Sequence, residues 1–188
     1  MSGTWYLVAV TSPLSIVTVC TGNICRSPAM ELLFARQLAD AGVTVSSAGT
    51  HAMKGHGIPA PMLRCLDADG IDGTAHLARQ YTEAIARKAD LIVCATAQHR
   101  AWCVREAPFA LKRTFTLGEL AEAARRGAPL EGGLAGVARA VSDYRTQLAG
   151  VKLIDVPDPY YESQDFYNET YALMSEMITD VTDWMKSS

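Results

Sequence analysis

The chain has 188 residues, 49% apolar and 20% charged, which suits one globular domain with a sizeable core and excludes a disordered chain. Its formal net charge of −3 excludes a general nucleic-acid or membrane-surface binder, since those need a basic field over much of the surface. Any anion must be met by a local device.

In chain order, residues 1–13 carry no Lys or Arg and end in Thr11, Ser12 and Pro13, so WYLVAV reads as a strand-like run and not a targeting segment. LSIVTV (14–19) is a β-branched run of the kind buried in a parallel strand. A helix is expected over Ser27 to Ala41, with Ser27 as N-cap, Pro28 at the first helical position and Gly42 as C-cap. VTVSS (43–47) predicts a second strand, and residues 59–69 a helix stopped by Gly70. Thr82 with Glu83 opens a helix to about Ala89, DLIVCA (90–95) is the clearest buried strand, residues 96–107 form a helix ended by Pro108, and RTFTL (113–117) is a fourth strand. Strands spaced by helices imply an α/β fold, a parallel sheet covered on both faces.

From Gly118 to Gly150 the composition shifts to Ala, Gly and Arg, read as two helices (119–126 and 135–149) joined by GAPLEGG. The loop KLIDVPDPYY (152–161) and an amphipathic helix over 165–186 follow. No repeat, second domain or membrane-spanning run is apparent, so residues 1–188 are expected to form one domain, with 1–13 as an N-terminal extension. Five scattered cysteines, an odd number in a chain too long to need stapling, point to a reducing cytoplasmic setting.

The stretch VCTGNICRSP (19–28) lies where a strand ends and a helix begins, the edge of an open α/β sheet at which ligands bind. There the loop's backbone N–H groups and the helix N-terminus make an anion site. Cys20 opens the loop and Arg26 closes it: a thiol among N–H donors beside a guanidinium ionises readily, and the planar fork of Arg26 grips two oxygens of a tetrahedral phosphate. Gly22 permits close approach of the backbone. The bare Cys-x5-Arg spacing is weak by itself, and a Walker loop is excluded because no Gly-Lys-Ser/Thr follows. A zinc set of Cys20, Cys25, His51 and His56 is disfavoured by the long intervening run and by Arg26, which opposes a cation. Cys65 and Cys94 read as core residues.

With CTGNICRSP at 20–28, SSAGT at 46–50, HLARQ at 76–80, DLIVC at 90–94 and DPYY at 158–161, the sequence resembles the low-molecular-weight protein tyrosine phosphatases. The resemblance implies a three-layer sandwich around a four-stranded parallel sheet of order 2-1-3-4. It makes Cys20 the nucleophile, Arg26 the phosphate clamp, and Thr21, Gly22, Asn23, Ile24, Cys25 and Ser27 the rest of the phosphate-binding loop. Asn23 would be held in an unusual conformation by Ser27, Ser47 and His76, Ser27 would assist the Cys20 sulfur, and Cys25 would trap oxidised Cys20 as a disulfide. Asp158 matches the general acid, with Asp155 as internal competitor; Tyr160, Tyr161 and Met53 would form the substrate wall. The implied partner is a phosphotyrosine-containing protein, with no cofactor and no metal.

The chain departs from the family pattern in reading HAMKGHG where an aromatic wall residue is common, so that Met53 is the nearest candidate, and Ala95-Thr96 where a cleft-edge acid is common. Segment 119–150 is a family-atypical helical insertion, either tolerated surface length or a partner surface. A thiol-dependent arsenate reductase relaying through Cys94 and Cys103, and a non-catalytic phosphotyrosine-binding module, are the alternative functions.

Overall fold

The computed structural model describes residues 14–187, so the strand expected over WYLVAV lies outside the described residues. Four strands, β1 (Ser15–Cys20), β2 (Thr44–Gly49), β3 (Leu91–Cys94) and β4 (Thr114–Thr116), form one parallel sheet of order β2-β1-β3-β4. β1 is central, with Cys20 opposite Gly49 and Val19 opposite Cys94. Because the chain leaves β1 toward β2 on one side and returns to β3 on the other, the carboxyl end of β1 lies at the switch point of the sheet.

The helices are α1 (Arg26–Gln37), α2 (Ala60–Ala68), α3 (Glu83–Lys88), α4 (Ala97–Glu106), α5 (Leu117–Arg125), α6 (Val137–Tyr144) and α7 (Gln164–Lys186). Alternation along β1 sends Ile16 and Cys20 to one face, into a core with Met30 and Phe34 of α1, Leu66 of α2, Leu120 of α5, Val141 of α6 and Met174 and Ile178 of α7. Val17 and Val19 face the other way, onto Ala86 of α3 and Cys103 of α4. The three layers follow from this period-two pattern.

The differences from expectation are local. Ser27 is not the N-cap: α1 starts at Arg26 with Cys25, two residues before Ser27, in the N-cap position, and no side chain caps it. Pro28 is tolerated because first-turn N–H groups have no intrahelical acceptor. The helix predicted to Ala41 stops at Gln37 and ends in a 3₁₀ turn (Ala39–Ala41) closed by Gly42, whose φ is 64°. Leu117 opens α5 and is not part of β4, because Thr116 and Glu119 form a reciprocal capping box there. Residues 135–149 divide into a 3₁₀ turn, α6 and a further 3₁₀ turn. Leu120, Ala121, Val137 and Val141 of the 119–150 segment are fully or almost fully buried and join the larger core.

Candidate active site

The loop from Thr21 to Cys25 joins β1 to α1, and the four carbonyls from Cys20 to Asn23 are directed outward. Those of Cys20, Thr21 and Gly22 accept from the N–H groups of Thr50, His51 and Met53, at 2.9, 3.0 and 2.9 Å. The carbonyl of Asn23 accepts from His76 Nε2 at 2.7 Å. In a trans peptide the following N–H points opposite to the C=O, so the N–H groups of Thr21, Gly22, Asn23 and Ile24 face inward. With the uncapped start of α1 they form a cradle of donors, the electrostatic requirement of an oxyanion site.

Asn23 holds this shape. Its φ of 56° lies in the left-handed region, which Asn tolerates when its amide bonds locally. Its Nδ2 donates to Ser27 Oγ (3.0 Å) and Ser47 Oγ (2.8 Å), and its Oδ1 accepts from the Arg79 N–H at 2.8 Å. Four hydrogen bonds thus hold its amide nitrogen, amide oxygen and carbonyl, and the residue is fully buried. The contacts to Ser27, Ser47 and His76 implied by the resemblance are present; Arg79 is an addition, its Nε also donating to the Ser47 carbonyl at 2.7 Å. Gly49 completes the fit, since a Cβ there would lie 2.4 Å from the Thr21 carbonyl oxygen.

Cys20 Sγ lies 3.0 Å from Ser27 Oγ. Asn23 donates into the Ser27 oxygen, and the single hydroxyl proton of Ser27 has two acceptors in reach, the Cys20 sulfur and the Ala48 carbonyl at 3.3 Å. Arg26 is 5% exposed; its Nη2 pairs with Asp158 Oδ2 at 2.7 Å and its Nη1 donates to the Val156 carbonyl at 3.4 Å. Among the described residues Arg26 Nε is buried without a hydrogen-bond partner. An orphaned buried donor costs about 1–3 kcal/mol unless an acceptor arrives.

The two acids of the 152–161 loop separate by position. Asp155 Oδ1 accepts from the Ala97 N–H at 2.8 Å and, with the Val156 N–H on the Ala95 carbonyl, pins the loop to the start of α4. Asp158 is left half-exposed at Arg26. Tyr160 and Tyr161 lie against each other, ring centroids 4.0 Å apart; Tyr161 is 87% exposed with a φ of 72°. Met53 is half-buried beside Gly22.

Cys25 faces the core, where its Sγ meets the Tyr167 hydroxyl at 3.7 Å. Burial pushes its thiol up to about 12, against a smaller lowering by the Tyr167 hydrogen bond. Cys94 and Cys103 lie in the core on the opposite face of the sheet from Cys20, 3.9 Å apart, so the relay an arsenate reductase would need does not face the loop. His51 lies against Trp102, ring centroids 5.7 Å apart and tilted by 60°, and His56 is exposed and bonded to the Met53 carbonyl. No group of three or more His, Cys, Asp or Glu able to hold a metal occurs among the described residues.

Sequence reasoning missed His99. It is buried and its Nε2 meets Thr21 Oγ1 at 2.8 Å, although it is 78 positions away in the chain. Its one sequence signal is the N-cap Thr96 three residues earlier, which places it in a helical first turn at the sheet's carboxyl edge.

A family model described as low molecular weight phosphotyrosine protein phosphatase matches residues 15–131. A low molecular weight protein-tyrosine-phosphatase of Streptomyces coelicolor is 35% identical over 166 residues, covering 86% of this chain and 87% of its own. Among solved structures, Vibrio vulnificus Wzb in complex with benzylphosphonate is 27% identical with a TM-score of 0.68, covering 93% of this chain and 99% of its own. A YwlE arginine phosphatase mutant with a phosphorylated active-site serine is 25% identical with a TM-score of 0.73, covering 93% and 97%.

Proposed function

The chain belongs to the low molecular weight phosphotyrosine protein phosphatase family, a family of hydrolases, and on that premise we propose that it hydrolyses phosphotyrosine in protein substrates through a phosphocysteine intermediate. The observation that carries this reading is the pairing, in one loop, of Cys20 Sγ with the Ser27 hydroxyl at 3.0 Å and of an inward N–H cradle with the unpartnered Nε of Arg26.

In the first step Cys20 Sγ attacks phosphorus, an S–P bond forms and the P–O bond to the tyrosine oxygen breaks. Asp158 delivers a proton to the leaving phenolate, which leaves poorly without one. The cradle N–H groups and Arg26 hold the equatorial oxygens, where charge spreads in the transition state. In the second step a water attacks phosphorus, Asp158 takes its proton, and the S–P bond breaks to release inorganic phosphate and the thiolate. Ser27 donates to the sulfur as it leaves. Tyr160, Tyr161 and Met53 surround the entrance and supply apolar surface for an aryl ring.

No metal or organic cofactor enters this scheme. Five unpaired cysteines suit a reducing compartment such as the cytoplasm, and among the described residues no helix is long and apolar enough to cross a membrane. The test is steady-state turnover of a phosphotyrosyl peptide by the reduced protein, with Cys20→Ser as control. Turnover abolished in the variant supports the reading; turnover of a phosphoarginine peptide alone would move the substrate class toward that named for the YwlE neighbour. Binding without turnover would return the non-catalytic alternative.

A further inference from the structure

His99 is held at both ring nitrogens. Its Nδ1 meets Thr96 Oγ1 at 2.8 Å, and Thr96, the N-cap of α4, also accepts the His99 backbone N–H at 3.3 Å. Its Nε2 meets Thr21 Oγ1 at 2.8 Å. The ring is thus fixed to the rigid first turn of α4 and reaches across to the residue that follows Cys20. Thr21 is exposed, and its hydroxyl is also 3.5 Å from Arg26 Nη2, the nitrogen that pairs with Asp158. Without His99 the Thr21 hydroxyl would keep only the long contact to Arg26 and could leave its rotamer at the mouth of the cradle.

We propose that His99 is a positioning residue of the phosphate site, anchoring the Thr21 hydroxyl, and through it the first turn of the loop and the Arg26 fork, to the N-terminus of α4. The role extends the phosphatase reading and takes its kinetic consequences from it. A neutral imidazole suits it: one nitrogen donates and the other accepts, so both threonine hydroxyls are matched. A charged ring would set a second cation beside Arg26. Burial first, then the Arg26 guanidinium, hold the His99 pKa down to about 4, His51 adding to the lowering and Asp158 opposing it. Anchoring of this kind acts equally on bound phosphate and on the transition state, so its loss raises KM and leaves kcat largely alone.

The experiment is a double-mutant cycle on the full chain with His99→Ala, Thr21→Val and the pair, reading the Kd of inorganic phosphate and the KM and kcat for p-nitrophenyl phosphate. Each single variant is expected to weaken phosphate about tenfold and raise KM alike, with kcat within about threefold, and the pair to lose no more than either alone. His99→Gln, whose amide occupies the Nε2 position, is expected to restore most of the affinity. Independent losses that multiply to about a hundredfold in the pair would overturn the proposal, as would an unchanged phosphate Kd in Thr21→Val, whatever the folding of His99→Ala. Should the wild type bind phosphate but turn over no aryl phosphate, the phosphatase reading fails, and the Kd cycle still decides the role of His99.

Discussion

Arg26 Nη2 and Asp158 Oδ2 lie 2.7 Å apart, so in the free protein the phosphate clamp and the acid of the proposed mechanism occupy each other. A bound phosphate has to take Arg26 from Asp158, and that exchange releases the carboxyl group toward the leaving oxygen. Asp158→Asn therefore has two opposite effects. Inorganic phosphate is expected to bind several-fold tighter, and kcat for an aryl phosphate to fall about 10²- to 10⁴-fold. Calorimetry and steady-state kinetics on one preparation check both; weakened phosphate binding would mean that the pair does not compete.

In the proposed mechanism Ser27 acts on the second step. With Asn23 donating into its oxygen, its own proton can turn from the Ala48 carbonyl at 3.3 Å to the sulfur as the thiolate leaves, and a hydrogen bond to a charged group contributes about 1.5–3 kcal/mol. Ser27→Ala is expected to slow intermediate breakdown about 10- to 100-fold. Stopped-flow measurement should then register a burst of phenol before a slow steady state, and a uniform slowing with no burst would count against the assignment.

Gly49 offers a perturbation that touches no reacting group. A Cβ there would meet the Thr21 carbonyl oxygen at 2.4 Å and the Asn23 nitrogen at 3.0 Å, both backbone atoms with no freedom to yield. Gly49→Ala is expected to displace the loop and cut kcat/KM by at least about tenfold, since misplacement by about 1 Å at a reacting centre costs that or more. Retained activity would show that the loop is less rigid than its contacts imply.

The folded protein also carries a pH signature at His99. Its pKa falls from an ordinary value near 6.5 to about 4, so between those values the unfolded chain binds the proton more tightly. The stability that neutral His99 contributes is fully present above the upper value and is lost as pH falls toward the lower one. Thermal melts at neutral pH and in mild acid should therefore record a larger fall in Tm for the wild type than for His99→Gln. Equal falls would contradict a buried neutral ring.

Much of this arrangement is legible in the residues. The β-branched run before Cys20, the glycine stops after residues 41 and 69 and the threonine cap at 82 mark the elements that form, because each reflects a local backbone preference. The nonapeptide at 20–28 likewise marks the loop. Local preference misleads where tertiary contacts take over: Ser27 has the composition of an N-cap, but its hydroxyl is used by Asn23 and Cys20, and helix α1 starts uncapped around it. His99 and Arg79 are illegible for another reason. Their partners are 78 and 56 residues away, and only the order of the strands brings them to the loop. The DPYY context already prefers Asp158 to Asp155 in the sequence; the contacts that separate them, Asp158 on Arg26 and Asp155 on the N–H of Ala97, are visible only in the fold.

The central claim is that phosphate passes through Cys20. Rapid acid quench of the Ser27→Ala variant with an aryl phosphate, followed by mass spectrometry of the peptide containing residues 19–28, tests it most directly. The account predicts one phosphoryl group on Cys20, formed as fast as the phenol burst and absent in a variant that also carries Cys20→Ser. Turnover with no phosphoryl group on that peptide, or turnover that survives Cys20→Ser, would contradict it.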